Sequence, residues 1–366
     1  MLPSREHTAL LLACLATGGA AHDAWKSVAR DGRRLPELFR TDHGDFRRLG
    51  PLLAWNLRRN DIQHVDAALL TVLRTSLLRE ELRSALYRDI LGEVIEVLTQ
   101  QDIAFIVMAG AALGVVDFPS PELRHAHDID LLLEHRVVED AAAVLVRAGY
   151  RRVQSEDDVV ELRHARELPV RLNTGLFHLS CHPSDYPTIE MESRTLHVGS
   201  NPTRMLSRED AFALALGRAA YSSNRMNLQW ACDAWMIASH GPLCIDRILE
   251  TLSRARLLPT SAVFARYLLG LGASLSDDLL DALEQEAGKT SSFDRDLALH
   301  ALRRSTHGGF QGALRRMPAQ RDRLNALAWM LFPSQSYVRW AHNREKASHV
   351  SVAYVTRIFR AMRALR

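Results

Sequence analysis

The hydrophobic residues of this chain keep helical spacing to about Gln101, switch to short alternating β-rich runs, and return to helical spacing after Leu206. A period near 3.6 buries one stripe of a helix, whereas a period of two buries one face of a strand. The chain is thereby held to a helical, mixed, helical order, an α+β arrangement with its sheet in the middle. With 366 residues it is long enough for two or three domains. The expected division is an N-terminal helical region over 1–95, a mixed core over 96–200 and a C-terminal helical domain over 201–366.

The run from Asp61 to Leu98 carries apolar residues at three- and four-residue steps and predicts two helices. Ile103 to Val107 then reads as a strand, Ala109 to Leu113 as a short helix, and Phe118-Pro119-Ser120-Pro121 as a break. Asp128 to Leu133 is a second strand. Val137 to Ala148 is a helix closed by Gly149, a natural left-handed cap, and Tyr150 to Val153 a third strand. Val159 to His164 and Val170 to Leu172 flank a turn with Pro169 and form an antiparallel hairpin. Ser207 followed by Asp210 is a capping-box signature. It opens a series of helices expected at Leu228–Ala238, Ile245–Arg256, Ser261–Leu271, Leu279–Glu286, Phe293–Arg303 and Tyr354–Arg366.

Asp128 and Asp130 lie two apart on the second strand, so both carboxylates leave the same face while Ile129 enters the core. Paired acids at a strand end suit a magnesium ion, which takes hard oxygen ligands from one or two carboxylates and from substrate phosphates. The alternative for such a pair is a solvated strand face. Lysine occurs only at Lys26, Lys289 and Lys346, so a phosphate in this protein has to be met by arginine, whose planar fork binds oxyanions in pairs.

The order of motifs resembles a family of largely uncharacterised bacterial nucleotidyltransferases in the polymerase-beta-like superfamily, found in peptide natural-product and polysaccharide gene clusters. The residues that carry the resemblance are Ile106-Val107-Met108-Ala109-Gly110, Phe118-Pro119, Arg124, Asp128-Ile129-Asp130-Leu131-Leu132 and Gly149-Tyr150, then Leu206 to Asp210, Trp230 to Asp233, and Phe332-Pro333-Ser334 with Tyr337. It implies a polymerase-beta-like core, a mixed sheet with helices, flanked by N- and C-terminal helical regions. It also implies a magnesium ion on Asp128 and Asp130, and a nucleoside triphosphate, ATP first among candidates, against Ala109, Gly110, Arg124 and Asn173. Arg124 is open to two roles, holding a phosphate or pairing with the carboxylates. Ala109 replaces the family lysine, and Arg171-Leu172-Asn173 replaces an acid, Leu and His. Arg171 therefore sets a cation where the third carboxylate belongs. At an effective dielectric near 20, each unit-charge pair at 4 Å is worth about 4 kcal/mol, which counts against a second metal. Arg171 then becomes a catalytic candidate of another kind, a clamp for an anionic substrate, and Glu161 is read either as a solvent-facing residue or as a substitute third acid.

The expected function is magnesium-dependent nucleotidyl transfer from a triphosphate to a peptide or small-molecule acceptor in a biosynthetic pathway. The alternative is a degenerate relative that binds nucleotide or peptide without turnover. A net charge of +3 gives little general attraction to nucleic acid. His125-Ala126-His127-Asp128 invites comparison with His-Asp phosphohydrolases, but those gather ligands on helices rather than beside a strand. The last helix carries Arg357, Arg360, Arg363 and Arg366 on one face, read as solvated. Cys14, Cys181, Cys232 and Cys244 show no metal or disulfide spacing, Thr8 to Ala21 reads as a mature helix rather than a signal, and no run spans a bilayer. A cytoplasmic protein without membrane partners is expected.

Overall fold

The computed structural model describes residues 2–30, 35–40, 45–156, 159–177, 186–199, 201–221 and 228–296, with positions 298 and 324. The expected helices over Phe293–Arg303 and Tyr354–Arg366, Cys181, and the Phe332-Pro333-Ser334 motif lie wholly or largely outside these residues. The chain begins with helices α1 (Arg5–Leu15), α2 (Gly18–Ala29), α3 (Leu35–Arg40), α4 (Asp45–Arg59) and α5 (Ala67–Thr99). The mixed region follows: β1 (Ile106–Met108), α6 (Ala109–Val116), β2 (Ile129–Leu132), α7 (Val138–Arg147), β3 (Arg151–Glu156), β4 (Val159–Arg163), β5 (Pro169–Asn173), α8 (Tyr186–Glu192), β6 (Arg194–Val198) and β7 (Asn201–Met205). Helices α9 (Arg208–Tyr221), α10 (Gln229–Ser239), α11 (Ile245–Arg254), α12 (Leu258–Gly270) and α13 (Asp277–Lys289) complete the described fold.

The α+β class expected from the periodicity is present. Among the described residues one seven-stranded sheet runs in the order β3-β4-β5-β2-β1-β7-β6, with β2 at its centre. β2 pairs in parallel with β5 and antiparallel with β1, and β4 with β5 form the expected antiparallel hairpin. Gly149 adopts φ +100 after α7, the left-handed cap that its position required. The expected boundary at residue 200 falls inside the β6–β7 hairpin, because β7 pairs with β1 as well as with β6.

Two readings are corrected. Thr8 to Ala21 is not one helix: α1 closes at Ala16 and Gly18 opens α2. Asp61 to Leu98 does not split into two helices but forms, from Ala67 onward, the single 33-residue rod α5, about 50 Å long. Asp66 caps it by accepting from the Leu69 N–H at 3.0 Å. No proline interrupts it, and its two halves serve different cores. Leu69 and Leu73 join a core made with α1, α4, α9, α10 and α12, whereas Tyr87, Ile90, Leu91, Val94, Ile95 and Leu98 join a second core with α7.

The sheet separates those cores by its pleat. Val107, Ile129, Leu131, Val170 and Leu172 face the second core, while Ile106, Met108 and Leu132 face the first. Asp130 alternates with Ile129 and Leu131 and so shares the face of Leu132, on the side where the flanking helices gather. Among the described residues no helix is long and apolar enough to cross a membrane.

Candidate active site

Asp128 stands at the entrance to β2 and Asp130 on it. Strand alternation sends Ile129 to the second core and leaves both carboxylates on the opposite face. The ladder sets their neighbours: Asp130 lies beside Met108 of β1 on one side and Arg171 of β5 on the other, and Arg171 lies beside Glu161 of β4. A row across the sheet therefore reads Glu161, Arg171, Asp130, Met108.

Each aspartate is held by an arginine. Arg171 Nη1 donates to Asp128 Oδ2 at 2.5 Å, and Arg171 Nε donates to Glu161 Oε2 at 3.2 Å. Arg218, from α9, donates through Nη2 to Asp130 Oδ2 at 2.7 Å. The aspartate side chains are 17% and 4% exposed, the arginines 38% and 30%, so the cations cover the acids from the solvent side. Burial and the neighbouring Asp130 push Asp128 up to about 6, against the pull of Arg171, Arg218 and Arg124.

Arg124 takes the pairing role, though with an acid that the sequence did not single out for the site. Its Nε and Nη2 donate to Asp233 Oδ1 and Oδ2 of α10 at 3.0 and 2.8 Å, and Gln229 donates to the same carboxylate at 3.1 Å. Both partners are nearly fully buried. Gly110 sits where α6 is kinked. A Cβ there would lie 3.3 Å from Arg124 Nη1 and 3.5 Å from the Asp128 carbonyl oxygen, so glycine is what lets helix and loop approach. Ala109 opens α6 beside it. Asn173 is fully buried and gives its amide to the carbonyls of Leu131 and Arg171 at 3.1 and 3.2 Å, tying β5 to β2.

The loop carrying Asp128 is fastened from α5. Arg83 donates to the Ala126 carbonyl at 2.9 Å, and His125 Nδ1 meets Glu80 Oε2 at 2.9 Å. Burial would raise the Glu80 carboxyl, but the His125 hydrogen bond and the charges of His125, Arg83 and Arg79 hold it below its ordinary value. The His125 and His127 rings pack edge-on at 4.4 Å. Among the described residues no three His, Cys, Asp or Glu side chains converge as a metal cluster. Beside the site, a shallow open groove between α5 and α6 is lined by Arg83, Tyr87, Arg88, Gly114, Gly110 and Arg124. The last two also border the aspartates' loop.

A profile of uncharacterised nucleotidyltransferases matches residues 44–270, which is more than half of the sequence and spans every residue of this constellation. The chain belongs to that family. Membership supports nucleotidyl transfer as the general activity and implies a nucleoside triphosphate as substrate. No curated protein matches the sequence. An antigenic nucleotidyltransferase-like protein from Paracoccidioides brasiliensis, known from a crystal structure, is similar at 15% identity and a TM-score of 0.35, with 54% of this chain and 91% of that one covered.

The structure brings Asp128, Arg171 and Glu161 into contact and sets Asp130 in register beside Arg171, a cation where the resemblance implied an acid. Arg218 and Asp233 were missed as site residues, although each leaves a mark in the sequence. Arg218 is the lone cation after Ala-Phe-Ala-Leu-Ala-Leu-Gly in α9, and Asp233 is the single acid in the apolar run of α10. A charge on an otherwise apolar helix is buried only when paired.

Proposed function

We propose that this chain is a magnesium-dependent nucleotidyltransferase that transfers a nucleotidyl group from a nucleoside triphosphate, ATP first among candidates, to a peptide or other small acceptor in a biosynthetic pathway. The observation that carries the reading is the placement of Asp128 and Asp130 on one face of the central strand, against Gly110, in a chain of this family. Two carboxylates suit one magnesium ion completed by phosphate oxygens and water. They do not suit a second, because Arg171 stands in register with Asp130 where a third carboxylate would be needed.

Asp128 and Asp130 would hold the ion, which when bound withdraws charge from the phosphates. An acceptor hydroxyl or amine attacks the α-phosphorus and gives its proton to solvent, the bond from that phosphorus to the bridging oxygen breaks, and pyrophosphate leaves with the electron pair. Arg171 and Arg218 face the charge that develops on the leaving group. Gly110 and Ala109 give backbone access to the phosphates. Arg124, paired with Asp233, and Asn173, bonded to the strands, fix the loop and Arg171 in place. The groove between α5 and α6, which shares Gly110 and Arg124, is the acceptor's approach.

A second reading, binding without turnover, is favoured by one observation, the contact of Arg171 with Asp128. Both readings predict binding. ATP or GTP with magnesium is expected to raise the melting temperature of the wild type and to raise it far less in Asp128→Asn/Asp130→Asn, since a ligand that binds only the folded state stabilises it by mass action. Equal shifts would remove the two acids from the nucleotide site. Pyrophosphate release with candidate acceptors then separates transfer from binding alone.

A further inference from the structure

The two aspartates and the two arginines that hold them balance to zero charge within one small site. Magnesium needs carboxylate oxygens in near-octahedral array and is repelled by a guanidinium beside it, so it competes directly with Arg171 at Asp128 Oδ2 and with Arg218 at Asp130 Oδ2. A triphosphate without metal meets the same two acids, whose charge repels it once their arginines turn away. Either ligand alone therefore faces an opposing group. Together they offer each pair a new partner, metal for the acids and phosphate oxygens for the arginines.

We infer that Arg171 and Arg218 are exchangeable counter-ions, which leave Asp128 and Asp130 to magnesium and turn onto the triphosphate as metal and nucleotide enter together. This rests on the nucleotide reading above and adds to it a coupling between the two ligands. Three features equip the arginines for the exchange. Both are more exposed than the acids they cover. Arg171 is tethered to Glu161 through Nε, separately from the Nη1 bond to Asp128, so one bond can be given up while the other retains the side chain at the site. They come from different elements, β5 and α9, on the strand and helix that border β2's acidic face.

The inference predicts effects of opposite sign from one substitution. Binding of Mn²⁺ alone, followed by its paramagnetic signal, and of a non-hydrolysable ATP analogue alone, in the presence of EDTA, is measured on wild type, Arg171→Gln and Arg171→Lys. Arg171→Gln is expected to bind Mn²⁺ about tenfold more tightly and the metal-free analogue about tenfold more weakly, within the usual span of coupling between sites. Arg171→Lys keeps the charge and should return both affinities towards wild type. Arg218→Gln should repeat the pattern; if it fails to fold, as shown by circular dichroism, the Arg171 series decides alone. Loss or constancy of both affinities in Arg171→Gln, in a protein whose wild type still binds Mn²⁺ with the analogue, overturns the exchange and leaves the proposed function standing. A wild type that binds the two ligands in no combination overturns both.

Discussion

Arg124 shows how far a single residue's role can be read from sequence. Its type and its place four residues before Asp128 allowed a phosphate clamp or a partner for the Asp128 and Asp130 carboxylates; the fold instead pairs it with Asp233, 109 residues away. Such a partner is invisible to local spacing, because it depends on α10 returning against the loop. The pair is buried on both sides, so removing one member strands a charge in low dielectric. Asp233→Ala is expected to cost about 3–5 kcal/mol in urea unfolding, while Arg124→Met/Asp233→Leu should cost less than the sum of the single changes, because no unpaired charge is left. Additive costs would mean that the two side chains do not act as a unit. By contrast Asp128 and Asp130 were legible because strand alternation alone puts them together, whereas Arg171 was legible only through the family resemblance, and its register beside Asp130 comes from the pairing of β5 with β2.

At the scale of elements, α5 carries most of what the sequence obscured. Its apolar positions drift around the rod because they serve two cores, and a pattern that changes face along its length looks like two helices. The β6–β7 hairpin was hidden for another reason: Pro202 lies within β7, and inward apolar residues are few, so the alternation is weak. What α5 does for the site is to fix the loop before Asp128 through Glu80 and Arg83. Glu80 is held below its ordinary carboxyl value, so in the folded state it binds its proton less readily than in the unfolded chain. Its stabilisation is therefore present above the ordinary value near 4.5 and is lost as pH falls through the lower folded value. Glu80→Gln should lower stability at pH 7 by about 1–3 kcal/mol, with the difference from wild type narrowing steadily as melting is followed below pH 4.5. A constant difference across that range would show that shape, not charge, makes the contact.

Over the whole molecule, the helical, mixed, helical order of the sequence suggested three regions in a row, but the first and last of these close on one another. Leu10, Leu11, Leu52 and Leu53 from the first helices share a core with Phe212, Trp230 and Phe264 from α9, α10 and α12. Polar contacts cross the same seam: Thr8 and Tyr267 hydroxyls lie 2.9 Å apart, and fully buried Asn56 satisfies the last carbonyls near the end of α1 by donating to Ala13 and Ala16 at 2.9 and 2.8 Å. The helices that present Arg218 and Asp233 to the sheet are thus seated on the N-terminal ones, and the site inherits its geometry from contacts made more than a hundred residues earlier in the chain. Leu10 is fully buried, so Leu10→Ala should cost about 2–5 kcal/mol through lost contacts and the cavity left behind. If the shared core is one cooperative unit, the loss of hydrogen-exchange protection must appear to a similar extent in α1, α4, α10 and α12, and thermal unfolding must remain a single transition. Protection lost from α1 and α4 alone, with α10 and α12 unchanged, would mean that the C-terminal helices hold Arg218 and Asp233 against the sheet without help from the N-terminal ones.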